Sequence, residues 1–371
     1  MMCALTAGQR GRRVLLLDHA EQAGAKILIS GGGRCNFTNT GCDPSRFLSD
    51  NPAFCRAALS RYTPADFVAL VQRHGVAFHE KTLGQLFCDG SARAIVAMLL
   101  AECAAGAVDV RLSHRITSVG HDGGFVVATD HGAFAAPALV LATGGLAIPK
   151  MGATGLAYDI ARQFGLGIVP PAPALVPLTF AGGLLELMRP LAGVALDSVV
   201  RTGRTAFREA TLFTHRGLSG PAILQASSYW TGGAMTLDLL PGQDAAGVLI
   251  GRKASRPRAE LRTILAELLP ARLAEALSMP GRMADLPDRT LRALAARLQG
   301  WTIEPVGTEG YAKAEVTRGG IDTRDLSQRT MQAAAVPGLF AVGEAVDVTG
   351  WLGGYNFQWA WASGVAAGLA V

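Results

Sequence analysis

Residues 27–39 read ILISGGGRCNFTN, and they follow a short apolar run, RVLLLDH at 13–19, that ends on a carboxylate. That apolar run has the character of a buried parallel strand. An acid at the C-terminal end of the second strand of a dinucleotide-binding unit is placed to accept hydrogen bonds from adenosine ribose hydroxyls, which makes Asp18 the first candidate site residue. The glycines Gly31, Gly32 and Gly33 let a backbone pass close to a flat ligand without Cβ clashes. Arg34, Cys35 and Asn36 then bring a charge, a thiol and an amide to one place.

Working outward, residues 1–10 (MMCALTAGQR) read as the helix that precedes such a strand, with Gly11 as its C-cap. A dinucleotide fold normally opens strand, G-x-G-x-x-G, helix, with the acid roughly 20 residues beyond the glycines. The expectation is therefore a chain that begins just after its own phosphate-binding loop, an N-terminal truncation. A strand at 138–142 (ALVLA) enters Thr143-Gly144-Gly145, and the carboxyl end of such a strand is where α/β sheets hold ligands. A strand at 339–342 leads into Gly343-Glu344, then Asp347, then Gly353-Gly354-Tyr355-Asn356 and a helix from about 356. Acids there can bond ribityl hydroxyls, and a helix N-terminus stabilises negative charge on a reduced flavin.

The rest of the chain divides by pattern. Helices are expected at 53–61, 64–74 (Thr63 as N-cap, Pro64 at N1) and 92–104. Strands are expected at 108–112 and 125–129. A proline-rich linker at 170–177 opens a stretch, 178–245, of short β-like runs and turns. Residues 257–299 space their apolar side chains helically, with Pro270 breaking the first run.

Half of the 371 residues are hydrophobic and 17% are charged, enough for a large core. The formal charge of +5 permits anionic partners such as phosphate or RNA. The densest basic stretch, 252–262, is interrupted and reads as a solvated helix face. Six cysteines without a C-x-x-C pair and no secretory signal point to the reduced cytoplasm. No histidine pattern indicates a metal, no apolar run is long enough to span a membrane, and nothing marks a DNA partner.

Together these segments resemble the BaiN-type, aminoacetone-oxidase-like flavoproteins, a bacterial group of NAD(P)/FAD-dependent oxidoreductases. The resemblance rests on 30–39, LATGGLAIPKMGATG (141–155), PALVPL (173–178), LFTHRGLSGPAIL (212–224), VTRGGI (316–321) and the segment from 338 to 364. It implies an α/β fold: a Rossmann-like FAD domain carrying an inserted antiparallel β domain and a small helical subdomain. The expected boundaries are 1–174 and 321–371 for the FAD domain, 175–250 and 300–320 for the β domain, and 251–299 for the helices. By resemblance Asp18 binds the adenosine ribose, and residues from Gly31 to Asn36 line the isoalloxazine. Glu344 and Asp347 face the ribityl–diphosphate, and residues from Gly353 to Asn356 the ring. Lys26, Thr143, Gly144 and Gly343 complete the expected cofactor set.

Candidate catalytic residues are His215 as a proton donor, Arg34 as partner of an anionic flavin or a substrate carboxylate, and Cys35 as a redox thiol. Each has a plainer alternative: a hydrogen-bonded loop histidine, an arginine bound to loop carbonyls, and, preferred for Cys35, a small packed side chain. Trp351, Trp359 and Trp361 are candidates to wall the ring, and packing should account for two of the three. Lys150 and Lys313 are either phosphate contacts or simply exposed. The expected chemistry is hydride transfer through FAD to or from a C=C or C–N bond of a small molecule, with NAD(P)H as transient reductant. Two alternatives stand beside it: flavin-dependent reduction of uridine in ribosomal RNA, and a non-catalytic protein that has lost FAD.

Overall fold

A computed structural model describes residues 1–371. The chain forms two compact units, Met1–Ala172 with Val316–Val371, and Pro173–Glu315. No helix is long and apolar enough to cross a membrane.

The first unit holds two parallel ladders, Leu15–Leu17 on Asp109–Arg111 and Leu139–Leu141 on Leu339–Ala341. A three-stranded antiparallel sheet, Ile116–His121, Phe125–Thr129 and Gly132–Ala136, precedes the 139–141 strand. Its first hairpin turns through Asp122-Gly123-Gly124. Another antiparallel sheet orders Asn36–Asn39, Gln85–Cys88 and Phe78–Glu80. The helices Met2–Gln9, Arg93–Ala105 and Tyr355–Ala370 pack around these strands. One core gathers Phe54, Phe125, Phe340 and Trp359. A second gathers Phe37, Phe67, Leu99 and Trp361, with Phe67 stacked on Trp361 at 4.7 Å and 6°.

Local chemistry sets the helix ends. Thr63 caps Pro64–Arg73 in a reciprocal box: the Asp66 carboxylate accepts from the Thr63 N–H at 2.7 Å, and Pro64 stands at N1. Helix Leu261–Leu265 stops short of Pro270, which stands as the N-cap of the next helix, Ala271–Leu277.

The second unit is built on a seven-stranded antiparallel sheet ordered Trp301–Ile303, Met235–Asp238, Ala195–Thr202, Thr205–Thr214, Gly217–Ser219, Leu178–Thr179, Gly307–Thr308. The stretch from 178 to 245 is less purely β than its pattern implied. Helices Gly182–Met188 and Pro221–Tyr229 interrupt it, and Ala245–Ser255 follows. Pro221 at N1 is preset for helix, and Ala222, Ile223 and Ala226 then bury one face. The turn-like sequence before Pro221 concealed that start. The basic stretch at 252–262 is largely neutralised: Arg252 and Arg256 both meet Glu267, Lys253 meets Asp288, and Arg262 meets Glu260.

Candidate functional site

The short helix Ala25–Ile29 runs straight into the glycine turn. Gly31, Gly32 and Gly33 take φ of +56°, +67° and +85°, three successive left-handed residues that side chains would strain. Gly31 and Gly32 are exposed, and a Cβ on Gly32 would meet nothing within 4 Å. The turn therefore presents bare backbone outward. Its far end is pinned by the Ala92 N–H donating to Gly33 O at 2.8 Å and the Cys88 N–H donating to Arg34 O at 3.0 Å.

Arg34 is exposed beside this turn. Cys35 is the reverse: it is 0% exposed and burial pushes its thiol up to about 12. That corrects its candidacy as a redox thiol, because the thiolate is the reactive form and burial suppresses it. Asn36 is buried, its carboxamide 3.2 Å from that of Gln85.

Asp18 sits at the C-terminal end of the Leu15–Leu17 strand, its N–H donating to Arg111 O at 3.0 Å. One carboxylate oxygen accepts from the Ala20 N–H at 2.9 Å, and the side chain keeps about a third of its surface exposed. The Leu139–Leu141 strand delivers Thr143, exposed, and Gly144, half-buried with open space where a Cβ would stand.

A buried polar network joins these parts. Thr317 Oγ1 accepts from the N–H of Leu146 at 2.8 Å and of Ala147 at 3.1 Å, while its own N–H donates to Glu344 Oε1 at 2.9 Å. The other Glu344 oxygen pairs with Lys26 Nζ. Lys26, ahead of the first glycine turn, and, through Thr317, the loop after Thr143 are thus tied to one carboxylate. Thr317 carries no sequence signal beyond its place in VTRGGI.

The C-terminal turn is mostly occupied by protein partners. Gly354 has φ +96°, and a Cβ on it would stand 2.4 Å from Thr38 O. Asn39 Nδ2 donates to Gly353 O at 2.9 Å. Asn356 accepts from the Gly350 N–H at 2.8 Å and donates to Gly350 O at 2.9 Å. Tyr355 is buried with its hydroxyl bonded to Arg46. Gly343 donates its N–H to Ser363 Oγ at 3.0 Å and accepts from Trp359 Nε1 at 3.0 Å.

Asp347, expected at the ribityl–diphosphate, is 3% exposed and accepts from the Asp50 N–H at 2.8 Å and Ser49 Oγ at 3.3 Å. Burial raises its pKa. His215 lies in the other unit, exposed with Arg216 in the two-residue turn between Thr205–Thr214 and Gly217–Ser219. Lys150 is exposed. The described residues hold no cluster of three or more potential metal ligands.

These residues fit FAD at two of its ends. The outward glycine turn with open space above Gly32, the open Gly144 and the exposed Thr143 suit a flat ring and its chain; the part-exposed Asp18 carboxylate suits a ribose. Residues 1–371 contain no G-x-G-x-x-G turn ahead of a helix for the diphosphate.

Two parallel strand pairs, one ending on an acid and one on a bare glycine turn, are features of a Rossmann-type nucleotide-cofactor protein. Residues 1–370 match the HI0933-like protein Rossmann domain, and the chain belongs to that family of FAD-binding oxidoreductases. It is 51% identical over 371 residues to the ribosomal RNA dihydrouridine synthase of Escherichia coli (strain K12), covering 98% of this chain and 93% of that one. It is 41% identical over 383 residues to the protein of the same name from Haemophilus influenzae (strain ATCC 51907 / DSM 11121 / KW20 / Rd), covering 100% and 95%. A 3-dehydro-bile acid delta(4,6)-reductase of Clostridium scindens (strain ATCC 35704 / DSM 5676 / VPI 13733 / 19) is 30% identical over 386 residues, covering 96% and 92%. The chain is an enzyme of the flavin-dependent oxidoreductase class.

Proposed function

We propose that this protein reduces uridine in ribosomal RNA to dihydrouridine, using FAD and a nicotinamide reductant in the cytoplasm. The observation that carries the reading is the 51% and 41% identity, over nearly the whole chain, to two proteins named for that activity. It replaces small-molecule reduction as the leading reading. The sequence pI near 9.0 agrees with a polyanionic substrate.

FAD, when bound, supplies hydride chemistry for saturating the uracil C5=C6 bond. The chain's own residues hold and orient. Asp18, with one oxygen fixed by Ala20, accepts from the adenosine ribose hydroxyls. Gly32 and Gly144, with open space where a Cβ would stand, would admit the ring system, and Gly31, Gly33, Thr143 and Gly343 would hold their turns beside it. Lys26 and Glu344 meet the polar chain between ring and diphosphate, their ion pair keeping both in place. The N-terminus of Tyr355–Ala370, through the helix dipole, favours negative charge at the ring's pyrimidine end. Arg34, exposed beside the glycine turn, adds a fixed positive charge there. His215 is the side chain to test as proton donor.

The experiment combines the purified chain, FAD, NADPH or NADH, and unmodified ribosomal RNA, then assays a nucleoside digest for dihydrouridine. Dihydrouridine that requires both FAD and reductant supports the reading. Reduction of a steroid-type enone with RNA untouched would establish the second reading, which the 30% identity to the bile acid reductase favours. Failure to acquire a visible flavin spectrum with added FAD overturns both.

A further inference from the structure

The three C-terminal tryptophans divide sharply. Trp359 and Trp361 are 1% and 5% exposed, and their ring N–H groups donate to Gly343 O and Phe37 O. Trp351 is half-buried, and the Arg46 guanidinium lies over its ring, 5.4 Å from the centroid. The same guanidinium lies 5.8 Å from the centroid of Tyr355 and donates to its hydroxyl.

This stack is firmly built. Phe47–Leu48, next to Arg46, pairs antiparallel with Thr349–Gly350, and the Trp351 N–H donates to Arg46 O at 3.1 Å. The Asn356 carboxamide clamps Gly350 from both sides. Arg46 nevertheless ion-pairs with no carboxylate. A guanidinium carries five N–H donors in a planar fork suited to phosphate. Most of that capacity is unspent here, on a side chain held in place by aromatic faces.

We propose that Arg46 and Trp351 seat the substrate RNA beside the cofactor: Arg46 takes a phosphodiester flanking the target uridine, and the Trp351 indole stacks an adjacent unpaired base. This rests on the reading of the substrate as ribosomal RNA. The chemistry favours single-stranded RNA, whose splayed bases stack on aromatic and guanidinium planes while its phosphates find arginine. The location follows from the chain itself, since Trp351 lies just ahead of the N-terminus of Tyr355–Ala370, which is proposed to face the flavin.

The test compares wild type, Arg46→Gln, Arg46→Lys, Trp351→Ala and Trp351→Phe for flavin spectrum, binding of a single-stranded uridine-rich oligonucleotide, and kcat and KM on ribosomal RNA. Loss of one phosphate contact should lower the salt-dependence slope by roughly 0.7 in Arg46→Gln, with Arg46→Lys retaining it. Loss of the stack should weaken binding about tenfold in Trp351→Ala, with Trp351→Phe recovering most of it. The effects should fall on KM, with kcat and the flavin spectrum unchanged.

Unaltered oligonucleotide affinity and slope in folded Arg46→Gln and Trp351→Ala would overturn the proposal. That outcome with wild-type uridine reduction intact would spare the functional reading. Absence of uridine reduction by the wild type, with tight oligonucleotide binding lost in both variants, would overturn the reaction and keep the RNA seat. Tighter dependence of a steroid enone than of RNA on Trp351 would assign the stack to small-molecule binding and refute the seat.

Discussion

Replacing Thr317 by Val probes the network that joins the two glycine loops. The two side chains have nearly the same shape, so the change deletes an oxygen without opening a large cavity. Thr317 is 1% exposed, and its Oγ1 is the acceptor for two backbone N–H groups, at 2.8 Å and 3.1 Å. A buried donor left without a partner costs about 1–3 kcal/mol. Ala147 is buried and takes that penalty; Leu146 is half-buried, and water offsets part of its loss. Thr317→Val should therefore destabilise the first unit by about 2–4 kcal/mol. Thr317→Ser keeps the acceptor and loses one methyl, which costs about 1 kcal/mol.

Urea unfolding of the two variants, followed by tryptophan fluorescence, measures the difference directly. Flavin affinity should fall further in Thr317→Val than in Thr317→Ser, because the loop carrying Thr143 and Gly144 loses its anchor. If Val is no worse than Ser in both measurements, the network does not hold the loop and the site argument built on it is wrong.

Cys35→Ala should keep flavin binding and turnover within about twofold, and native Cys35 should resist thiol reagents until the protein unfolds; rapid native labelling would refute its assignment to packing. Asp347 has its pKa raised by burial, so its protonated form is favoured by folding. Its stabilising contribution is full below the ordinary carboxylate range and is lost as pH rises through the raised value. The stability of Asp347→Asn relative to wild type should accordingly improve over that window, and a difference independent of pH would contradict the shift. Gly354→Ala places a Cβ 2.4 Å from the Thr38 carbonyl at φ +96°, and should cost at least 1–3 kcal/mol from strain alone; a circular-dichroism melt unchanged from wild type would refute the close approach.

The sequence disclosed those parts of the candidate site that depend on backbone. Gly31, Gly32, Gly33 and Gly144 are legible because few residues tolerate their conformations, and Asp18 because it ends an apolar strand. Thr63 and Pro64 marked a helix start through chemistry confined to four residues. Thr317 and Arg46 left no comparable trace, since their roles arise from partners 171 and 309 residues away. Asp347 was read as facing ligand on the strength of its acid alone, yet its nearest donors, Ser49 and Asp50, come from a segment nothing local could bring to it. Helix Pro221–Tyr229 was hidden among β-like runs because its burial is set by the sheet it covers.

The Lys26–Glu344 pair closes a loop of 318 residues. Inside it lies the continuous second unit, whose ends are clasped by the Glu315 N–H donating to Leu175 O at 3.1 Å. Once that unit has folded, its 143 residues no longer count as slack, leaving 175. The saving in closure entropy is only about 0.5 kcal/mol, so its consequence is one of timing. Residues 173–315 can complete their fold while still tethered to the ribosome, whereas Thr317, Glu344 and helix Tyr355–Ala370 emerge only after them. The candidate cofactor site is therefore completed only after the insert can fold, and a nascent chain stalled before residue 344 should carry a finished insert and no flavin.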